Sequence, residues 1–237
     1  MVFATPPRSS RRWAPSTGGP DLDVRATLHR ARRSGGEPLV AVRRRPRCRP
    51  RRLVLICDVS GSMEPYARAY LHLMLSGVAG GRAEAFVFAT RLTRLTRALR
   101  SAPPDQALVR AGRAAPDGSG GTRIGAAVKS FNDRYGRRGV ARGAVVVILS
   151  DGWDRGDPSL LAREMAALYR LAHRVVWVNP RKAAPGFEPL TSGMAAALPH
   201  VDNSVSGHSL DAFDEVLGAI GSPVPVRSGA PGRARSP

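Results

Sequence analysis

Leu53-Val54-Leu55-Ile56-Cys57-Asp58-Val59-Ser60-Gly61-Ser62-Met63 sets three oxygen-bearing side chains at the end of an apolar run. The run has no polar alternation, so it reads as a strand covered on both faces, as in a parallel sheet flanked by helices. Gly61 and Pro65 mark the turn into a helix. A carboxylate and two hydroxyls thus project from one strand-to-helix loop. Hard oxygen donors at alternate positions suit a small hard cation such as Mg2+. A second apolar run, Ala144 to Leu149, ends in Ser150-Asp151-Gly152, which puts another carboxylate at a strand tip. Between the two runs, Gly120-Gly121-Thr122 opens a helical pattern and adds a hydroxyl.

Outward from these tips the chain alternates strands and helices. Tyr66, Ala69, Tyr70, Leu73 and Met74 make a helical face, and Ala83 to Ala89 reads as a strand. Leu92 to Leu99 has the imperfect alternation of an exposed edge strand. Positions 103–111 suggest a helix, and Ile124, Val128, Phe131 and Tyr135 form a stripe after Thr122. Asp157-Pro158 caps and starts a helix carrying Leu161, Met165 and Leu168. Val175 to Val178 is another buried strand. A short helix at Thr191 to Leu198 and a short strand at Val201 to Val205 follow, and Ser209 caps a last helix with Leu210, Phe213, Leu217 and Ile220. Such alternation predicts an α/β fold: a mostly parallel sheet with right-handed crossovers and helices on both faces. Ligands then sit beyond the carboxyl ends of the strands, where Asp58 and Asp151 both fall.

Asp58-x-Ser60-x-Ser62, then Thr122, then Asp151, resembles the metal-ion-dependent adhesion site of von Willebrand factor A (VWA) domains. The resemblance extends in element order over roughly residues 52–221. Within that superfamily the chain is similar to the bacterial CoxE-like group. The stretches that carry this are Gly35-Gly36-Glu37-Pro38, Cys57 to Met63, Ser150-Asp151-Gly152-Trp153-Asp154, Trp177-Val178-Asn179-Pro180, Pro199-His200-Val201-Asp202 and Gly207-His208-Ser209-Leu210. The resemblance implies a three-layer, Rossmann-like VWA fold. It implies a metal site in which Ser60, Ser62 and Thr122 bind Mg2+ (or Mn2+ or Ca2+) directly, with Asp58 and Asp151 contacting it directly or through water. It further implies a noncatalytic accessory protein whose partner supplies an Asp or Glu to the metal. A MoxR-type AAA+ ATPase and a molybdenum hydroxylase client, such as a carbon monoxide dehydrogenase, are the partners it implies. Asp154 reads as an acid near the rim with mainly a solvated role, and Trp153 equally as an interface anchor, where exposed, or as a side chain packed against the loop.

The chain has 237 residues and a formal net charge of +19, carried almost wholly by arginine. Lys129 and Lys182 are the only lysines. A GC-rich genome and a selected basic surface are equal readings of that bias. Residues 1–51 concentrate arginine with few large apolar side chains. They read as a basic, largely disordered arm with a short helix at Asp21 to Arg33 ended at Gly35-Gly36. Residues 52–221 are the domain and 222–237 a disordered tail. An arginine-rich, nucleic-acid-associated protein is the alternative this arm offers, but it would bind nucleic acid only nonspecifically, and only Trp13 in it offers a stacking ring. Cys48 and Cys57 make no disulfide framework, and Cys57 falls in the core. No run approaches the roughly 20 apolar residues of a membrane span, and Met1 to Trp13 lacks the apolar stretch of a secretory signal. The expectation is cytoplasmic.

Enzyme readings fare worse. A haloacid-dehalogenase-type, Mg2+-dependent phosphohydrolase begins with Asp-x-Asp after its first strand, and Asp151-x-x-Asp154 mimics its later acids. Position 60 is Ser, which cannot protonate a leaving group as the second acid does. Ser60 lacks the Gly-x-Ser-x-Gly elbow of a serine hydrolase. The five histidines show no metal-pair spacing, and no Gly-Lys-Ser/Thr follows the glycines to make a P-loop.

Overall fold

The computed structural model describes residues 3–33, 40–81, 83–101, 106, 109, 121–182, 191–208 and 210–222. The chain divides into two units, one of residues 7–50 and one of residues 1–6 together with 51–237.

Residues 7–50 correct the expectation of a largely disordered arm. They form β1 (Pro7–Ser16), β2 (Asp21–Leu22), α1 (Val24–Arg33) and β3 (Arg43–Pro50). The strands make an antiparallel sheet in the order β1-β3-β2. Among the described residues of this unit Ala31 is the buried apolar side chain. Order comes instead from backbone pairing, which needs no core. Polar contacts add to it. Arg44 lies 3.0 Å from Asp21 and stacks 5.2 Å from the Trp13 ring centre. The Asp23 carboxylate accepts the Ala26 amide at 3.0 Å and so caps α1.

In the other unit a six-stranded sheet has the order β6-β5-β4-β7-β8-β9. Its strands are β4 (Leu53–Asp58), β5 (Ala83–Phe88), β6 (Leu92–Arg94), β7 (Val145–Leu149), β8 (Arg174–Asn179) and β9 (Asn203–Ser206). All neighbours are parallel except the β5–β6 edge. Every residue of β4, β7 and β8 is buried.

Alternate β4 residues face opposite layers, as the pleat requires. Leu53, Leu55 and Cys57 pack with Tyr70 and Met74 of α2 (Glu64–Ala79) and with Val216 and Ile220 of α7 (Leu210–Gly221). Val54 and Ile56 pack with Val128 and Phe131 of α4 (Ile124–Phe131) and with Leu161 and Met165 of α5 (Pro158–Leu171). Two apolar layers therefore sandwich the sheet, which is the expected three-layer arrangement. A last short helix, α6 (Ser192–Ala197), lies between β8 and β9 in sequence.

The segment expected as a strand over Leu92 to Leu99 stops at Arg94, and α3 (Thr96–Arg100) takes over. The cause is Thr96: its hydroxyl accepts the Ala85 amide at 2.9 Å, where a further strand residue would have offered a carbonyl. Apart from residues 106 and 109 the expected helix at 103–111 lies outside the described residues, as do the stop at positions 35 and 36, Gly120, Ser209 and the tail from 223. Among the described residues no helix is long and apolar enough to cross a membrane.

Candidate functional site

In the sheet, chain order reverses beside β4: β5 lies on one flank and β7 on the other. Residues from loops on both flanks therefore meet above the carboxyl ends of β4 and β7. Cys57 pairs with Leu149, so Asp58 and Ser150 leave the sheet at the same level.

Asp58 is fully buried and both its oxygens are engaged. Oδ1 accepts the Ser60 amide at 2.9 Å and Oδ2 accepts the Ser150 hydroxyl at 2.9 Å. Burial pushes its carboxyl up from 3.8 to about 6; the Ser60 and Ser150 hydrogen bonds oppose the shift, and the nearby Asp151 charge adds to it. Asp151 is 5% exposed. Its Oδ1 accepts the Trp153 amide at 3.1 Å, while its buried Oδ2 has no hydrogen-bond partner. Ser60 and Thr122 are buried, and the Ser60 and Ser62 hydroxyl oxygens stand 3.3 Å apart. Ser60, Ser62 and Thr122 line one cavity of about 330 Å³, shared with Trp153, Arg155 and Arg181. All five residues singled out in the sequence therefore gather at one end of the sheet. Among the described residues no group of three or more His, Cys, Asp and Glu side chains is placed to hold a metal ion. The donors here are two carboxylates and three hydroxyls.

Three supporting residues went unrecognised in the sequence. Ser150 bridges the two strand tips: it donates to Asp58, and its hydroxyl accepts the Gly152 amide at 3.1 Å. Asn179, at the end of β8, donates to the Asp151 carbonyl at 3.1 Å and accepts the Arg181 amide at 2.8 Å. Asp154 departs most from expectation, because it is 9% exposed rather than solvated. Its carboxylate takes the amides of Ile124 at 3.0 Å, Gly125 at 3.2 Å and Gly156 at 2.9 Å. The first turn of α4 has no side-chain cap of its own. Asp154 supplies that cap from a loop 30 positions away in sequence, and its charge suits the positive end of the helix. The Arg155 amide donates to the Thr122 carbonyl at 3.0 Å and closes the same joint.

Two outcomes follow. Replacing Asp154 by Ala strands the Ile124 and Gly125 amides, and the loss in urea unfolding is about 2 kcal/mol, whereas Asp154→Asn retains an acceptor and loses less. Equal losses in the two variants would contradict the capping role. For Asp58 the folded carboxyl holds its proton to about 6 and the unfolded one to about 3.8, so the folded state binds more protons between these values. Stability in chelator therefore falls as pH rises through that window, by on the order of 3 kcal/mol from this group. Asp58→Asn removes that part of the slope; identical slopes for wild type and variant between pH 4 and 7 would refute the assignment.

The sequence matches the family described as VWA domain containing CoxE-like protein over residues 2–213. Among curated proteins none matches significantly. Similar solved structures include proximal thread matrix protein 1 from the mussel byssus, described with a zinc-occupied MIDAS motif, at 19% identity and a TM-score of 0.47, covering 71% of this chain and 44% of that one. This chain thus spans less than half of the mussel protein. An aerotolerance-related membrane protein from Bacteroides fragilis is similar at 15% identity and a TM-score of 0.44, covering 71% of this chain and 96% of that one. The SpRpn10 VWA domain is similar at 11% identity and a TM-score of 0.42, covering 73% and 98%. None of these three likenesses reaches a TM-score of 0.5. The family match spans most of the chain, strands of the arginine-rich unit included, and with the fold it establishes that this chain belongs to the CoxE-like family of VWA-domain proteins.

Proposed function

We propose that the chain is a metal-dependent protein-binding accessory protein. The observation that carries this is the convergence of the Ser60, Ser62 and Thr122 hydroxyls beside two buried carboxylates, one of which leaves Asp151 Oδ2 without a partner. A buried carboxylate oxygen without a donor is costly unless a cation or water meets it. The donor set is all oxygen and suits Mg2+, with Mn2+ or Ca2+ as substitutes. Ser60, Ser62 and Thr122 would hold the ion, with Asp58 and Asp151 beside it. When bound, the ion supplies Lewis acidity towards an incoming carboxylate. Two carboxylates balance one divalent charge without exceeding it, and Mg2+ takes about six oxygens, so a coordination position would remain for an outside Asp or Glu.

Proteins of the CoxE-like family serve as noncatalytic accessory modules, linked to metal-dependent protein–protein interaction. The reading extends to partners: an adaptor between a MoxR-type AAA+ ATPase and a metalloenzyme under assembly, such as a molybdenum hydroxylase of the carbon monoxide dehydrogenase kind.

Mg2+ or Mn2+ at a hundredfold excess over its dissociation constant should stabilise the protein by about 2.7 kcal/mol, read as a rise in melting temperature. Thr122→Ala and Ser60→Ala should lose most of that rise while melting near wild type in chelator. No rise with Mg2+, Mn2+ or Ca2+ would refute the metal site. For the partners, purified ATPase and client should be retained on immobilised wild-type protein in Mg2+ and released by chelator. Retention that ignores chelator would place the interface elsewhere.

A further inference from the structure

The cavity with the three hydroxyls also carries two arginines that the site itself does not use. Arg155 and Arg181 are exposed, and no ion pair or side-chain hydrogen bond engages either guanidinium among the described residues. The acids near Arg155 in sequence are committed elsewhere. Asp154 is taken by three backbone amides, and Asp157 accepts the Ser159 amide at 2.8 Å at the start of α5.

Both arginines are nevertheless tied to the loops that bear the donors. Arg155 donates its amide to the Thr122 carbonyl, and its stem lies against Gly121. Gly121 has φ +76°, and a Cβ there would stand 2.6 Å from Arg155 Cδ. The close approach holds the arginine over the Thr122 loop. Arg181 is joined through Asn179 to the Asp151 carbonyl. Trp153 stands beside them, 57% exposed.

Charge decides what this face accepts. On the metal-dependent reading above, Asp58 and Asp151 balance a divalent ion, which leaves the two guanidiniums without a compensating acid among the described residues. One carboxylate at the ion does not neutralise them. We infer that Arg155 and Arg181 read a second carboxylate, so that the partner segment bound here is an acidic peptide with two Asp or Glu side chains close in sequence. A guanidinium presents paired N–H donors to a carboxylate, which makes arginine the suited reader. The inference rests on the metal-dependent reading for the first carboxylate and on the arginines for the second.

The test is calorimetric titration of the full chain with capped glycine-rich peptides that carry one Asp, or two Asp separated by one or two glycines. In Mg2+ the better two-acid peptide should bind about tenfold more tightly than the one-acid peptide. Arg155→Ala with Arg181→Ala should erase that preference and keep one-acid binding; Arg155→Glu with Arg181→Glu should invert it. Chelator, or Asp58→Ala, should abolish one-acid binding. Equal affinity of the peptides for wild type overturns the inference, as does a preference that survives both double variants. If chelator changes nothing while the arginine-dependent preference remains, the metal reading fails and the arginine assignment stands. If neither peptide binds in Mg2+, both fall.

Discussion

A carboxylate that ends a fully buried strand must be met by donors, by a cation or by a proton. Asp58 is in that position, and much of the surrounding architecture answers it. Ser60 reaches back with its amide and Ser150 reaches across from the neighbouring strand with its hydroxyl. Those bonds offset the larger cost of desolvation only in part, and the charge of a second acid, Asp151, adds to it. The loops above the sheet are accordingly rich in small hydroxyls and glycines, which let backbone and donors come near a pair of like charges.

The second constraint is mechanical. The donors come from loops separated by long stretches of chain, so each loop needs its own anchor. Asp154 caps α4 and so joins the Asp151 loop to the Thr122 loop. Asn179 joins the same Asp151 loop to the turn after β8. These joints are made by side chains meeting backbone, which fixes loop position without using the groups that face the cavity. Sites with anchored supports hold their geometry better than sites on free loops.

The legible part of this chain was the part written locally. Continuous apolar runs declared β4, β7 and β8, and the hydroxyl spacing after Asp58 declared the loop. What escaped was written between distant positions. Asp154 looked solvated because its partners, Ile124 and Gly125, lie a helix and a strand upstream. Ser150 drew no role of its own beside Asp151 because its acceptor is 92 positions earlier. The order of residues 7–50 escaped for another reason: hydrophobic counting sees cores, and β1 and β3 are held by backbone pairing between arginine-rich strands. The strand expected through Leu99 failed on a single hydroxyl, that of Thr96, which occupies the Ala85 amide.

Ser150 bridges strands that are adjacent in space and remote along the polypeptide, and this bears on the order of events during synthesis. When β4 leaves the ribosome, the hydroxyl that will satisfy Asp58 Oδ2 has yet to be made, and so have Asp151 and the Asp154 cap. The oxygen cage cannot close on a nascent fragment that stops short of β7. Its completion waits on β7 and the loop that follows it.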